Sequence, residues 1–408
     1  MLIIGRAVAG MGASGLNNGA LTILASTTPP EKRPFYMGII MGVAQLGVVL
    51  GPLLGGVFTE HATWRWCFYI NLPIGAAIAG SLLLLKIPEQ TTKPPFFSVF
   101  RKLPSKLDLV GFLLIAPSVI QLLLALEYGG NQFAWNSSTV IGLFCGSGTT
   151  FLVFLYWEHR RGNEAMVPLH MLRQRIVWTS CVNQTSIMIM MICASYFLPT
   201  YFQAVKGVSP TISGVDLLPS IIGQLVASVV CGALVGKLGY YLPWSVASGV
   251  ITAIGNGLVS TFSPSTSTGK WVGYQILLGA GRGLGFQAPI IAIQNALPPA
   301  EIAVGMALMM FSQTLGASVF LVVANVIFTT SLRAEIPRYA PDTDPGAVIA
   351  AGASAVRDVV TSAAALAGTL QAYAVGVDRV FYLTVGFSGV CFVSAWGMGW
   401  KDIRRKDT

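Results

Sequence analysis

The chain has 408 residues, 54% of them hydrophobic and only 10% charged, with mean hydropathy +0.68 and a net charge of +9. Soluble proteins carry about a quarter charged residues, so this composition excludes a water-soluble domain. It also excludes a soluble nucleic-acid binder, because the positive charges lie between long apolar runs. Those runs do not alternate with period two, which argues against a β-barrel and predicts an all-α polytopic membrane bundle.

Eleven segments approach the ~20 apolar residues that cross a bilayer. They are residues 3–27, 35–58, 67–86, 108–126, 138–157, 177–203, 211–236, 241–262, 271–296, 303–331 and 379–400. The first carries Arg6 and, three helical turns on, Asn17. In the second, Gly47, Gly51 and Gly55 recur every four residues and form one bare helix face; Gly56 follows, and Pro52 bends the segment. In lipid such a ridge lets another helix approach backbone to backbone. Gln45 points away from it, toward a possible cavity. Residues 87–107, with Phe96-Phe97 and Arg101-Lys102, read as a cytoplasmic linker. Asp108 and Asp378 stand at expected span starts and read as helix caps.

Further along, Gln184, Met188 and Met191 share a stripe near Phe197 and Tyr201, and Gln287 and Gln294 lie seven residues apart. Amides and methionines suit a loosely selective apolar cavity; the competing reading for each amide is an interhelical hydrogen bond. Asp216 is either a proton-exchange candidate or a helix-entry residue. Arg282 lies within a span, at a cost on the order of 2.5–3.5 kcal/mol unless paired, and reads either as functional or as paired to a neighbouring helix. Residues 334–378 are Ala-rich with amphipathic spacing and are expected to lie on the outer membrane surface. The six cysteines are scattered with no Cys-x-x-Cys and three histidines lie far apart, so neither a metal site nor a cofactor is expected. Residues 1–28 lack the basic start and cleavage pattern of a signal peptide.

Lysines and arginines set the orientation. With the Glu31-Lys32-Arg33 turn inside, the inner side receives sixteen of the 25 and the outer side seven. The chain also repeats itself at a shift of 269 residues. Gly10 meets Gly279, Gly12 meets Gly281, Asn18 meets Gln287, Pro29-Pro30 meets Pro298-Pro299, and Gly47 meets Gly316. In the second copy three spans precede Gly279 and have no counterpart before Gly10. The expectation from symmetry is a fourteen-span pattern of which the first three spans are missing here.

The glycine–proline ridge, with Trp64-Arg65-Trp66 and Asn71-x-Pro73-x-Gly75, resembles the antiporter motif of the major facilitator superfamily. Gly5–Gly12, Leu107-Asp108-Leu109-Val110-Gly111, Ser213–Pro219 and Gly279–Pro289 extend the resemblance over nearly the whole chain. The match is to the fourteen-span drug:proton antiporters of the type formed by fungal toxin and multidrug efflux pumps. It implies proton-coupled efflux of a small apolar or amphipathic compound by alternating access of two bundles. It assigns Arg6 to proton coupling, beside the alternative that Arg6 snorkels to the surface, and makes the ridge the sliding seam. On this reading residues 1–86 are what is present of the N-terminal bundle, 108–160 two extra central spans and 176–408 a six-span C-terminal bundle. A monomer in the plasma membrane is expected, with protons and a small molecule as partners and no nucleic acid. A non-transporting, truncated remnant is the alternative. An integral membrane enzyme is disfavoured, since no His, Asp or metal-ligand cluster is present.

Overall fold

The computed structural model describes residues 2–27, 47, 50, 51, 54–84, 108–130, 132–162, 165–167, 169–298 and 301–400. The helices are α1 (Leu2–Thr27), α2 (Asn71–Leu84), α3 (Leu109–Tyr128), α4 (Ser138–Arg161), α5 (Arg175–Tyr201), α6 (Pro210–Val215) and α7 (Leu218–Leu238). They continue with α8 (Leu242–Val259), α9 (Thr268–Gly285), α10 (Ala288–Ala296), α11 (Ile302–Tyr339), α12 (Pro345–Val359) and α13 (Ala363–Gly397). The described residues contain no strand beyond one isolated bridge, Gly129 to Phe133, and nine helical segments long and apolar enough to cross a membrane. The chain is an all-α, multi-pass membrane protein.

Local chemistry sets the helix starts. Asp108 accepts the Gly111 N–H at 2.9 Å, Ser137 the Val140 N–H at 3.3 Å, and Asp344 the Gly346 and Ala347 N–H groups at 3.0 and 3.1 Å. Prolines occupy the first turns of α6, α7, α8, α10 and α12, where the missing N–H costs nothing.

Two compact units divide the chain, residues 1–103 and 104–408. In the first, α1 and helical residues 54–61 accompany an aromatic turn before α2. Trp64 packs edge-on to Phe68 with ring centroids 6.0 Å apart, and the Arg6 guanidinium lies 5.7 Å from the Phe68 centroid.

In the second unit each helix packs on the next in the order α7, α9, α8, α13, α5, α11, and the α3–α4 hairpin leans on α11. Hydrophobic burial does not drive helix association in lipid, so close packing and polar contacts must. Glycines supply the first at successive junctions. A Cβ on Gly279 would overlap the Ser220 carbonyl of α7, and one on Gly281 would come within 2.7 Å of the Thr252 nitrogen of α8. Likewise Gly249 would strike the Phe392 backbone at 2.7 Å, and Gly316 would overlap the Thr185 side chain. Within the hairpin, Ser118 and Ser147 each donate to the other's carbonyl, at 2.9 and 2.8 Å.

At one end of this unit α5 passes Pro199 and leaves through a π turn, Phe202–Lys206, closed by Gly207 at φ +68°. The carbonyls of Ala204 and Val205 accept from the Arg357 guanidinium of α12 at 3.3 and 3.1 Å. Lys206 donates to the Pro264 and Thr266 carbonyls at 2.9 and 2.6 Å.

Two expectations are corrected. Residues 334–378 do not form one surface segment: α11 runs on to Tyr339 and α13 begins at Ala363, which leaves α12 as the separate helix. The reason is that helical hydrogen bonding continues past the end of the apolar run, with Glu335 and Arg379 paired between the two extensions. Asp378 therefore lies inside α13 and caps nothing. The 271–296 segment stands as one span, Thr268–Ala296, with a break inside it where α9 ends at Gly285 and α10 restarts at Ala288.

Candidate functional site

The polar groups of the second unit gather into two seams. The first joins α7 to α9. Ser220, Gln224 and Ser228 follow at four-residue spacing and so share one face of α7. α9 and the break after it offer donors along it: Gln275 Nε2 to the Asp216 carbonyl at 2.9 Å, Arg282 Nη2 to Ser220 Oγ, and, just before α10, Gln287 Nε2 to Ser228 Oγ at 3.2 Å. Gln224 Nε2 turns instead to Met191 Sδ of α5, at 3.7 Å. Arg282 is 3% exposed, and its buried Nε takes no hydrogen-bond partner. No acidic side chain pairs with it among the described residues. The glycines beside it explain how so large a group fits: Gly279 and Gly283 bring α9 onto the α7 backbone, where a Cβ would overlap the Ser220 and Gln224 carbonyls.

The second seam joins α5, α8 and α13. Asn183 Nδ2 donates to the Cys391 carbonyl at 2.8 Å and to Ser394 Oγ at 3.0 Å. Asn256 Nδ2 donates to Ser388 Oγ at 3.0 Å, and Ser388 Oγ reaches Met190 Sδ at 3.1 Å. The carbonyl oxygens of Asn183, Gln184 and Asn256 are buried with no donor of their own. An amide can accept as well as donate, so these seams hold unused acceptors between helices that pack against one another.

The residues singled out in the sequence fall in different places. Arg282 is interhelical, as one of its readings has it, and Gln287 likewise makes an interhelical bond. Gln184 is buried on α5 and Met188 half-buried. Phe197 belongs to the apolar core, its ring 5.4 Å from that of Phe328. Tyr201 is fully buried and donates to the Ser263 carbonyl at 2.8 Å. Gln294 is exposed on α10 and is not brought together with Gln287. Asp216 caps the C-terminus of α6 at the break before α7, half-buried. Arg6 is exposed over Phe68. Gly47, Gly51 and Gly55 are helical, with nothing within 4 Å of their Cβ positions, and Gly56 is buried. Gln45, Pro52 and the Asn17 side chain lie outside the described residues.

Sequence reasoning missed Asn183, Asn256, Ser220 and Ser388 as seam residues. The signal for the two asparagines was available: each is an amide inside an apolar run, costly there unless bonded across helices. An open cleft of about 370 Å³ lies apart from both seams, lined by Gln174, Arg175, Ile176, Ala296, Gly397 and Gly399. None of the cavity candidates lines it. Arg175 there donates to the Trp396 carbonyl at 3.2 Å.

The profile of the Major Facilitator Superfamily matches residues 1–321. The chain is 57% identical over 404 residues to the MFS-type transporter pigP of Monascus ruber, which covers 99% of this chain and 71% of that protein. It is 52% identical to the efflux pump mokI of Monascus pilosus, over 98% of this chain and 75% of the relative. It is 41% identical to the MFS-type efflux pump MFS1 of Arthroderma benhamiae, over 99% of this chain and 75% of that one.

Proposed function

The chain belongs to the major facilitator superfamily, a family of transporters rather than enzymes, and on that premise we propose proton-coupled efflux of a small apolar or amphipathic compound from the plasma membrane. The observation that carries efflux is the match of 98–99% of the chain to proteins named efflux pumps. Secondary metabolites, drugs and toxins are the compounds in view. The soft, polarisable Met188 and Met191, on the same stripe of α5 as the buried Gln184, support that cargo class, since methionines re-pack around varied shapes.

Arg282 supports the coupling half of the proposal. A fixed, buried cation without an acidic partner favours a nearby anion, so a carboxylate that approaches it binds its proton less tightly. Asp216, one break away on the same polar stripe, and Arg6 of α1 are the other coupling candidates. The bare face of Gly47, Gly51 and Gly55 is proposed as the surface that slides during alternating access.

The test is transport by the purified chain in vesicles. An imposed proton gradient should drive uptake of an apolar fluorescent dye into vesicles whose cytoplasmic face points outward, and a protonophore should abolish it. Gradient-independent uptake rejects the coupling; absence of uptake rejects transport by this chain. A fluorescent fusion that labels an internal organelle instead of the cell surface rejects the assigned membrane.

A further inference from the structure

The α3–α4 hairpin contains a pair of carboxyl groups that neither seam uses. Asp108 Oδ1 is fully occupied: it accepts the Gly111 N–H at 2.9 Å and the Trp157 Nε1–H at 2.8 Å. Glu158, one residue further along α4, is 1% exposed, and its Oε2 accepts the Val167 N–H at 2.7 Å. The remaining oxygens, Asp108 Oδ2 and Glu158 Oε1, are both buried and have no donor. They point into the same space. A Cβ on Gly111 would lie 2.5 Å from Asp108 Oδ2 and 2.9 Å from Glu158 Oε1. Glycine at position 111 is thus what lets the two oxygens meet.

Two ionised carboxylates cannot share such a space without large repulsion and desolvation, and one proton between them removes both problems. Among the described residues, the charges around the pair do not offer another remedy. From α4, Arg161 acts on Asp108, with its guanidinium over the Trp157 ring at 5.5 Å from the centroid. The turn at 165–167 contributes backbone amides. Among the described residues, Arg161 is the cation that acts on the pair, and it leaves one of the two anions unbalanced.

We infer that Asp108 and Glu158 bind a single proton between them across Gly111, a titratable site on the inner end of the middle hairpin that is separate from Arg282 and independent of transport. The proton resides on Glu158. Burial raises the Asp108 carboxyl, but the Gly111 and Trp157 N–H donors, the Glu158 carboxyl and Arg161 together hold it below its ordinary value. Glu158 Oε1, lacking any such donor, is the oxygen that needs a hydrogen. Protonated Glu158 donates to Asp108 while keeping its other oxygen on Val167. Release of the proton sets two anions face to face and separates the end of α4 and the 165–167 turn from the start of α3.

Infrared spectroscopy of the full chain in lipid nanodiscs at neutral pH reads the site directly. The expected result is a carboxylic-acid carbonyl component, beside any from the buried Asp378, that is lost in Glu158→Gln and retained in Glu301→Gln. Glutamine still donates to Asp108, so the variant preserves the contact while removing the titratable group. Should Glu158→Gln not fold, carboxyl-labelled [13C]glutamate in the unaltered chain decides: the band must shift. If no component disappears in Glu158→Gln, or none shifts with the glutamate label, the inference is overturned.

Discussion

At the scale of single residues, Asp108 shows how much one side chain at a membrane face can join together. It caps α3 through Gly111, receives the indole N–H of Trp157 from α4, and stands in the field of Arg161. Burial works against its ionisation, and those donors and that cation outweigh it, so the carboxyl titrates below its usual value. A depressed pKa means stability that is present above ~3.9, the unfolded value, and is lost as pH falls through the folded one. Asp108→Ala should therefore cost about 1 kcal/mol near neutrality, the typical worth of such a cap. The gap from the unaltered chain should begin to close as pH drops below ~3.9 and vanish below the lower folded-state value. Thermal denaturation in detergent across that range checks it, and a gap that persists in acid contradicts the assignment. This cap was legible from sequence because Asp before an apolar run has a local meaning. Asp378 looked the same by that rule, yet the Ala-rich turns from Ala363 onward already form α13, so its surroundings are tertiary. Arg282 was legible as a costly charge, whereas its partner Ser220 lies 62 residues away and only the pairing of α7 with α9 reveals it.

At the scale of elements, the second copy of the internal repeat explains its own glycines. Gly279 and Gly283 are one turn apart on the face that meets α7, while Gly273 on the same helix has nothing within 4 Å of its Cβ. The two positions should respond with opposite sign to the same substitution. Gly279→Ala forces the α7 and α9 backbones apart and should cost about 1–3 kcal/mol, as overpacking does. Gly273→Ala meets open space and should be neutral or stabilising by up to about 1 kcal/mol through helix propensity. Paired melting curves test this, and equal effects would show that close approach is not what the glycine serves. The helices themselves were legible from apolar runs to within a few residues over most of the second unit. The exceptions have a common cause. A run of 38 residues, as in α11, spans ~57 Å against a hydrocarbon core of ~30 Å, so its end is governed by hydrogen bonding and by the Glu335–Arg379 pair instead of by lipid.

At the scale of the molecule, the orientation deduced from sixteen inner and seven outer basic residues acquires a structural counterpart in the second unit. One end carries the π turn with Lys206, the Arg357 contacts and the Glu335–Arg379 pair; the other carries Arg175 beside the Trp396 carbonyl and the ends of α10 and α13. Lys206, Arg357 and Arg379 at the first end are each held by carbonyls or a carboxylate. Such neutralisation suits a face whose loops must cross the bilayer, because uncompensated Lys and Arg are retained on the cytoplasmic side. Two exposed glycines with open surroundings mark the two ends, Gly269 in the first turn of α9 and Gly236 in the last turn of α7. With the accessible Cys67 and Cys145 replaced by serine, Gly269→Cys should react with a membrane-impermeant maleimide on intact cells. Gly236→Cys should react only after permeabilisation. The reverse pattern inverts the molecule, and with it the direction in which any cargo would move; reaction of both on intact cells breaks the alternation of spans on which the orientation rests.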